Sequence, residues 1–278
     1  MRVRAEELYF KSDGERLFFR AWETAVPRGH AVLLHGLGEH SGRLARPAGV
    51  LQAAGLDVAA YDLRGHGRSS GGRGDLAGFD AHLRDLTIFL RVLEDQGRRG
   101  PRFLVGHGVG ALVVVQQLLK RPETECAGAV LTSPALRLRV EPRAATLAAA
   151  RVLARAAPAL ELPTDVRPAH LTRDPRAARE VVRDPLVHRR TTARAFLATL
   201  AAMEEARRLA SRITQPLLVL GGLEDALVSP QAMREFVAAV GSRDRRLVLF
   251  PRLYHDLFHE VDRVVVLEEV ERWVSERI

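Results

Sequence analysis

Phe103-Leu104-Val105-Gly106-His107-Gly108-Val109-Gly110-Ala111-Leu112-Val113-Val114-Val115 is the stretch on which the reading of the whole chain turns. A short apolar run meets three glycines at alternate positions, and a second apolar run without glycine follows. The pattern predicts a strand, a sharp turn and a buried helix. That is the layout of a nucleophile elbow, in which G-x-S-x-G lifts a serine hydroxyl to the top of a parallel sheet. The middle position here is Gly108. Glycine holds strained turn dihedrals at no steric cost, but it carries no hydroxyl and cannot be acylated.

Outward from the elbow the chain alternates strand and helix. Upstream, Leu8-Tyr9-Phe10 and Leu17-Phe18-Phe19 flank Ser12-Asp13-Gly14, which reads as a hairpin. His30-Ala31-Val32-Leu33-Leu34 and Leu56-Asp57-Val58-Ala59-Ala60-Tyr61 read as two strands, each ending in a glycine-bearing loop. Phe79, Leu83, Leu86, Phe89, Leu90 and Leu93 recur with a helical period. Downstream, Ala127–Thr132 reads as a strand, and alternation resumes only at Pro216–Gly222. The segment between, about 134–212, is helical, proline-punctuated and rich in Arg and Ala. A helix near 232–240, a strand at 246–250 and a C-terminal helix at 261–278 complete the pattern. Repeated βα units imply a parallel sheet covered on both faces by helices. The insert reads as a lid over the sheet's carboxyl edge, where α/β ligands bind.

Composition narrows the classes. The 278 residues carry a net charge of +8, and all but Lys11 and Lys120 of the 42 basic residues are arginine. The arginines lie scattered among alanines without interleaved aromatics, so no nucleic-acid partner is expected. Attraction to anionic lipid or to an anionic substrate stays open. A single cysteine, Cys126, excludes a disulfide within the chain and suits a reducing compartment. Met1-Arg2-Val3-Arg4 leads into charged residues with no apolar core of a signal peptide, so a cytoplasmic location is expected. No apolar run reaches the roughly 18 residues that span a bilayer.

Five motifs in order carry a family resemblance: His35-Gly36-Leu37-Gly38-Glu39-His40-Ser41-Gly42-Arg43, Asp62-Leu63-Arg64-Gly65-His66-Gly67-Arg68-Ser69, Gly106-His107-Gly108-Val109-Gly110, Gly222-Leu223-Glu224-Asp225-Ala226-Leu227-Val228 and Tyr254-His255-Asp256. With them the chain resembles the monoacylglycerol lipase and lysophospholipase-like α/β-hydrolases, which include relatives labelled serine aminopeptidases. The resemblance implies an α/β-hydrolase fold with a mostly parallel eight-stranded sheet. Its core would be residues 1–133 and 213–278, with a helical lid at 134–212. It implies Asp225 as the acid of a triad, His255 as the base, and the N–H groups of Leu37 and Val109 as the oxyanion hole. The order nucleophile, acid, histidine is that of these enzymes. In such a triad the acid orients the imidazole, which takes the serine proton while the hole holds the developing oxyanion.

The resemblance implies carboxylester hydrolysis on a monoacylglycerol, a lysophospholipid or a similar small acyl ester, with no cofactor and no metal. Gly108 at the nucleophile position departs from the pattern. It leaves three readings: a substitution in an active hydrolase, a non-catalytic relative that uses the lid-covered pocket for binding, or a non-covalent hydrolase in which His255 activates water. Gly67-Arg68-Ser69-Ser70-Gly71 also matches G-x-S-x-G, but no apolar strand enters it and no apolar helix leaves it. Ser69 is therefore not expected to be a nucleophile, and Cys126, at a strand start, is expected to be structural. His255-Asp256-Leu257-Phe258-His259 resembles a zinc helix with Asp for Glu, yet it offers no clear third ligand. Loop hydrogen bonds are expected for His35, His40, His66 and His107, and solvated or structural roles for His30, His82, His170 and His188. Apolar lid residues among arginines, in Leu147–Arg155, leave room for weak peripheral membrane contact.

Overall fold

A computed structural model describes residues 5–278; the leader-free start expected at Met1–Arg4 lies outside the described residues. The first two strands, β1 (Glu6–Ser12) and β2 (Glu15–Trp22), are an antiparallel hairpin closed by Asp13 and Gly14. Both turn residues have positive φ, +48° and +79°, as a two-residue turn that follows the strand twist requires. The chain then runs through β3 (Gly29–Leu34), α1 (Ala45–Ala53), β4 (Leu56–Tyr61), α2 (Asp80–Asp95), β5 (Arg102–His107), α3 (Val109–Lys120) and β6 (Gly128–Thr132). After the insert come β9 (Leu217–Gly222), α8 (Pro230–Ala239), β10 (Arg245–Phe250) and α9 (Arg263–Ser275).

The insert holds α4 (Ala144–Ala156), β7 (Glu161–Pro163), α5 (Pro168–Leu171), α6 (Pro175–Arg183), β8 (Arg190–Thr192) and α7 (Ala193–Arg208). Its two three-residue strands pair only with each other. They are too short for alternation to show in the sequence, which is why the segment reads as wholly helical.

Eight strands form one sheet in the order β1-β2-β4-β3-β5-β6-β9-β10. Only β1–β2 and β2–β4 pair antiparallel, and all other neighbours are parallel. The elbow strand β5 is central and buried along its whole length. Period-2 alternation sends Leu104 to one face and Phe103 and Val105 to the other. On the first face Leu104, Leu131 and Val219 pack with α2, α3, α7 and α8. On the second, Val105, Val130 and Leu220 pack with α1 and α9, including the fully buried Trp273.

Two features tie the insert to the sheet. Helix α7 contributes Ala195, Ala202, Met203 and Ala206 to the core beside α3, and the Gln116 side-chain amide donates to Ala202 O at 2.8 Å. The stretch 171–192 runs across loops at the carboxyl ends of the strands. His188 N–H donates to Gly38 O (2.9 Å), Thr192 N–H to Gly74 O (3.2 Å), and Asp256 N–H to Leu171 O (2.7 Å).

Candidate active site

The elbow forms as the sequence predicts. Gly108 follows β5, precedes α3 and sits at φ +54°, ψ −116°, a conformation that L side chains hold only under strain. Gly106 and Gly110 act differently from turn glycines, since neither has positive φ. They permit close approach. A Cβ on Gly106 would lie 2.4 Å from Ala111 Cα, and one on Gly110 would lie 2.4 Å from Leu34 O and 2.5 Å from His35 O. The first turn of α3 therefore packs directly on the end of β3.

A Cβ on Gly108 meets ordinary contacts only: His255 Nε2 at 3.4 Å and Gly36 Cα at 3.6 Å. His255 lies in the loop after β10, and its Nδ1 bonds Asp225 Oδ2 at 2.8 Å. Asp225 lies after β9 and is buried. Its other oxygen accepts from the N–H groups of Leu227 (2.8 Å) and Val228 (3.0 Å). These bonds assign the Nδ1 proton to face Asp225 and turn the Nε2 lone pair toward position 108. Burial alone would lower the His255 pKa, but the adjacent Asp225 carboxylate outweighs it and the pKa is raised above 6.5. Burial opposes ionisation of Asp225, and the imidazole and the two N–H donors more than offset it, so its pKa is lowered.

Leu37, in the loop after β3, and Val109, the first residue of α3, complete the set drawn from the sequence. Val109 N–H belongs to the helix's first turn and has no intrahelical acceptor. Among the described residues no acceptor takes the Leu37 or Val109 N–H. Four loops, after β3, β5, β9 and β10, thus bring all five residues to one end of the sheet.

Sequence reasoning missed a buried ion-pair network beneath the histidine. Arg43 Nε donates to Glu39 Oε1 at 2.8 Å, and Arg43 Nη2 donates to Asp256, the neighbour of His255. Glu39 Oε2 accepts from Gly36 N–H at 3.0 Å, and His259 Nδ1 bonds Asp256 Oδ1 at 2.8 Å. Burial would raise Glu39, but Arg43 outweighs it and holds the pKa to about 2. Asp256 is likewise held low against its burial by His259 and Arg43. Glu39, Arg43 and Asp256 all fall inside quoted motifs, but nothing in the spacing pairs them. Ser133 was missed too: its φ is +42°, and its hydroxyl donates to His255 O at 2.7 Å.

The remaining candidates take structural places. Ser69 is buried, donates to Asp62 O (2.5 Å) and accepts from Phe18 N–H (2.9 Å). The Cys126 thiol is half-buried on Gly128 O (3.0 Å), with its pKa pushed by burial up to about 11. His255 and His259 do not share an α-helical face, because 257–259 is a short 3-10 turn and each ring is bound to a different aspartate. Glu39, His107 and Asp256 bring ligand atoms within 4.8 Å of one another, but Arg43 donates to both carboxylates and makes the cluster an internal ion pair. His35 bonds Gly36 O (2.7 Å) and accepts from Leu63 N–H (2.9 Å). His40 bonds Asp184 (2.8 Å), His66 bonds Arg64 O (2.9 Å) and His107 bonds Thr132 (3.1 Å). The His107 ring faces His255 with centroids 4.9 Å apart. His30 and His82 are buried, and burial lowers them to about 4 and about 3. His170 and His188 accept weakly from nearby backbone N–H groups.

The sequence profile of the family described as serine aminopeptidase, S33, matches residues 25–262. The chain belongs to this family of α/β-hydrolases. Among its relatives is a monoacylglycerol lipase of Mycolicibacterium smegmatis, 32% identical over 274 residues that cover 98% of this chain and 97% of that protein. The monoglyceride lipase of Homo sapiens is also 32% identical, over 96% of this chain and 89% of its own. The crystal structure of the Paleococcus ferrophilus monoacylglycerol lipase superposes with a TM-score of 0.85 at 31% identity, covering 94% of this chain and 99% of that one. The matched span takes in strands β3 to β10, the insert and the loops that carry Gly108, Asp225 and His255.

Proposed function

We propose that this chain is built for carboxylester hydrolysis on a monoacylglycerol, a lysophospholipid or a similar small acyl ester, and lacks the nucleophile. The observation that carries the proposal is the 3.4 Å between a Cβ placed on Gly108 and His255 Nε2. An imidazole oriented by a buried carboxylate meets the one position from which a hydroxyl is absent. The substrate class comes from the names of the relatives, and the small-ester choice rests on them. The chain with Gly108 forms no acyl-enzyme. Oxyanion stabilisation and binding alone leave at most about 10³–10⁴-fold acceleration over water.

With serine at 108 we assign the following roles. His255 Nε2 takes the hydroxyl proton as the oxygen attacks the ester carbonyl. The carbonyl oxygen becomes an oxyanion between the N–H groups of Leu37 and Val109. Asp225 stabilises the imidazolium, which returns its proton to the leaving alcohol. Water then repeats the sequence on the acyl-enzyme.

The test is Gly108→Ser assayed beside the unchanged chain on a panel of acyl esters and with a fluorophosphonate probe. The expected result is probe labelling at position 108 and a gain of several powers of ten, because losing the serine alone costs about 10⁶ in a serine protease. The gain should vanish with His255→Ala and shrink with Asp225→Asn. A folded Gly108→Ser that gains nothing on any ester would overturn the proposal in favour of a binding protein. Labelling of the unchanged chain at Ser69 would overturn the claim that it is inactive.

A further inference from the structure

The charge of this protein is not spread evenly. Segment 134–212 holds 16 arginines against 8 acidic residues, while the rest of the chain holds 26 basic and 26 acidic residues. The whole net charge of +8 therefore sits in the insert. Part of it faces an open groove of about 1740 Å³ between α6 of the insert and α1 of the sheet domain. Arg176, Arg179 and Arg183 line it from α6, and Arg46 lines it from α1. Spacings of three and four residues put the three α6 arginines on one helix face, opposite the buried Ala177 and Val181.

Among the described residues the three α6 cations lack partners. Among the described residues no hydrogen bond or ion pair engages the guanidinium groups of Arg176, Arg179 or Arg183. Arg46 comes no nearer than 4.0 Å to Glu180. The other carboxylates of the groove are engaged elsewhere, Asp184 by His40 and Glu23 by Arg98. Like charges at such spacings repel and weaken a helix, so their convergence on one groove calls for an anion. The guanidinium fork matches the oxygens of phosphate in pairs. The groove also presents apolar surface, with Trp22, Ala45 and Pro185 beside the arginines. None of Gly108, Asp225 or His255 lines it; Arg43 and His259, of the ion-pair network beneath His255, form its inner wall.

We infer that the groove between α1 and α6 is a binding site for a phosphate-bearing ligand, held by Arg46, Arg176, Arg179 and Arg183. The inference does not depend on the reading of Gly108. The ligand is either a soluble phosphate compound or the headgroup of an anionic phospholipid, and two arms of one experiment separate them. In the first, pyrophosphate is titrated into the full chain while tryptophan fluorescence is followed. Trp22 lines the groove, and the other tryptophan, Trp273, is buried in the core on α9. In the second, the chain is sedimented with phosphatidylcholine vesicles with or without phosphatidylglycerol.

A saturable pyrophosphate response places the soluble ligand in the groove. Sedimentation only with phosphatidylglycerol vesicles places the headgroup there. In either arm the triple variant Arg176→Gln/Arg179→Gln/Arg183→Gln should bind about tenfold more weakly or worse. Arg46→Gln, on the facing helix, should weaken binding independently, which keeps the test valid if the triple variant is unstable. No saturable binding in either arm, or binding that survives these substitutions, overturns the inference.

Discussion

At the scale of single residues, position 108 sets chemistry against conformation. Serine there must hold φ +54°, ψ −116°, at a cost of about 1 kcal/mol or somewhat more. Gly108→Ser should therefore melt about 2–4 °C lower than the unchanged chain while gaining activity. Gly110→Ala is a different case, because its Cβ would run into Leu34 O and His35 O. Forced overpacking of this kind costs about 1–3 kcal/mol. In the Gly108→Ser background it should also abolish the gain by moving Val109. The pH profile of Gly108→Ser tests His255. Its folded pKa is raised, so the imidazole stays protonated, and unable to act as base, to a higher pH than an ordinary histidine. The acid limb of activity should fall above pH 6.5. In Asp225→Asn the residual activity should show that limb shifted downward. A limb at or below 6.5 in Gly108→Ser would contradict the ion pair.

At the scale of elements, the insert has two parts with different attachments. The part from Val140 to Thr192 packs α4 against α7 and is otherwise tied by hydrogen bonds to loops at the carboxyl edge, whereas α7 buries four side chains in the main core. We propose that only the former is a detachable lid. Removal of residues 140–192 with a short linker should leave a folding domain with altered ester selectivity in the Gly108→Ser background. Removal that extends through α7 should not fold, since it uncovers α3. Hydrogen exchange of the intact chain gives the same test, with α4 to α6 opening at lower free energy than α7. Simultaneous exchange of the central strands and α4 would refute the division.

At the scale of the whole molecule, buried titratable groups set the stability against pH. Burial is the leading cause that lowers His30, His35, His66, His82, His107 and His188. His255 is raised instead. A base whose folded pKa is depressed is protonated first in the unfolded chain. Its contribution is present above the unfolded pKa near 6.5 and declines as pH falls below it. His255 acts in the opposite sense, with stability present at low pH and lost as pH rises through its raised pKa, but it stands against six. The melting temperature should therefore decline steadily from pH 7 to 5. A second loss should follow as pH falls from about 4.5 toward 2, when Glu39, whose folded pKa is held to about 2, takes up its proton. Arg43→Met should destabilise the fold by about 3–5 kcal/mol at neutral pH, because it removes the one cation shared by the buried carboxylates of Glu39 and Asp256. A melting temperature flat between pH 7 and 5 would count against the buried neutral histidines.

The sequence alone determined the strand and helix alternation around the elbow, and the family resemblance of its motifs implied the eight-stranded α/β class and pointed to Gly108, Asp225 and His255. It could do so because these rest on local signals: apolar periodicity, glycine spacing and short motifs at strand ends. What it could not determine are pairings between distant segments. Arg43 meets Asp256 across 213 residues, α7 joins the core although it lies within the insert, and β7 finds β8 through only three residues. Gly106 and Gly110 show the same limit on a smaller scale, since the motif marks them as glycine while the packing of α3 on β3 explains why. Only tertiary structure decided these, because burial and the matching of buried charges depend on which surfaces the sheet brings together, and that information is absent from local sequence.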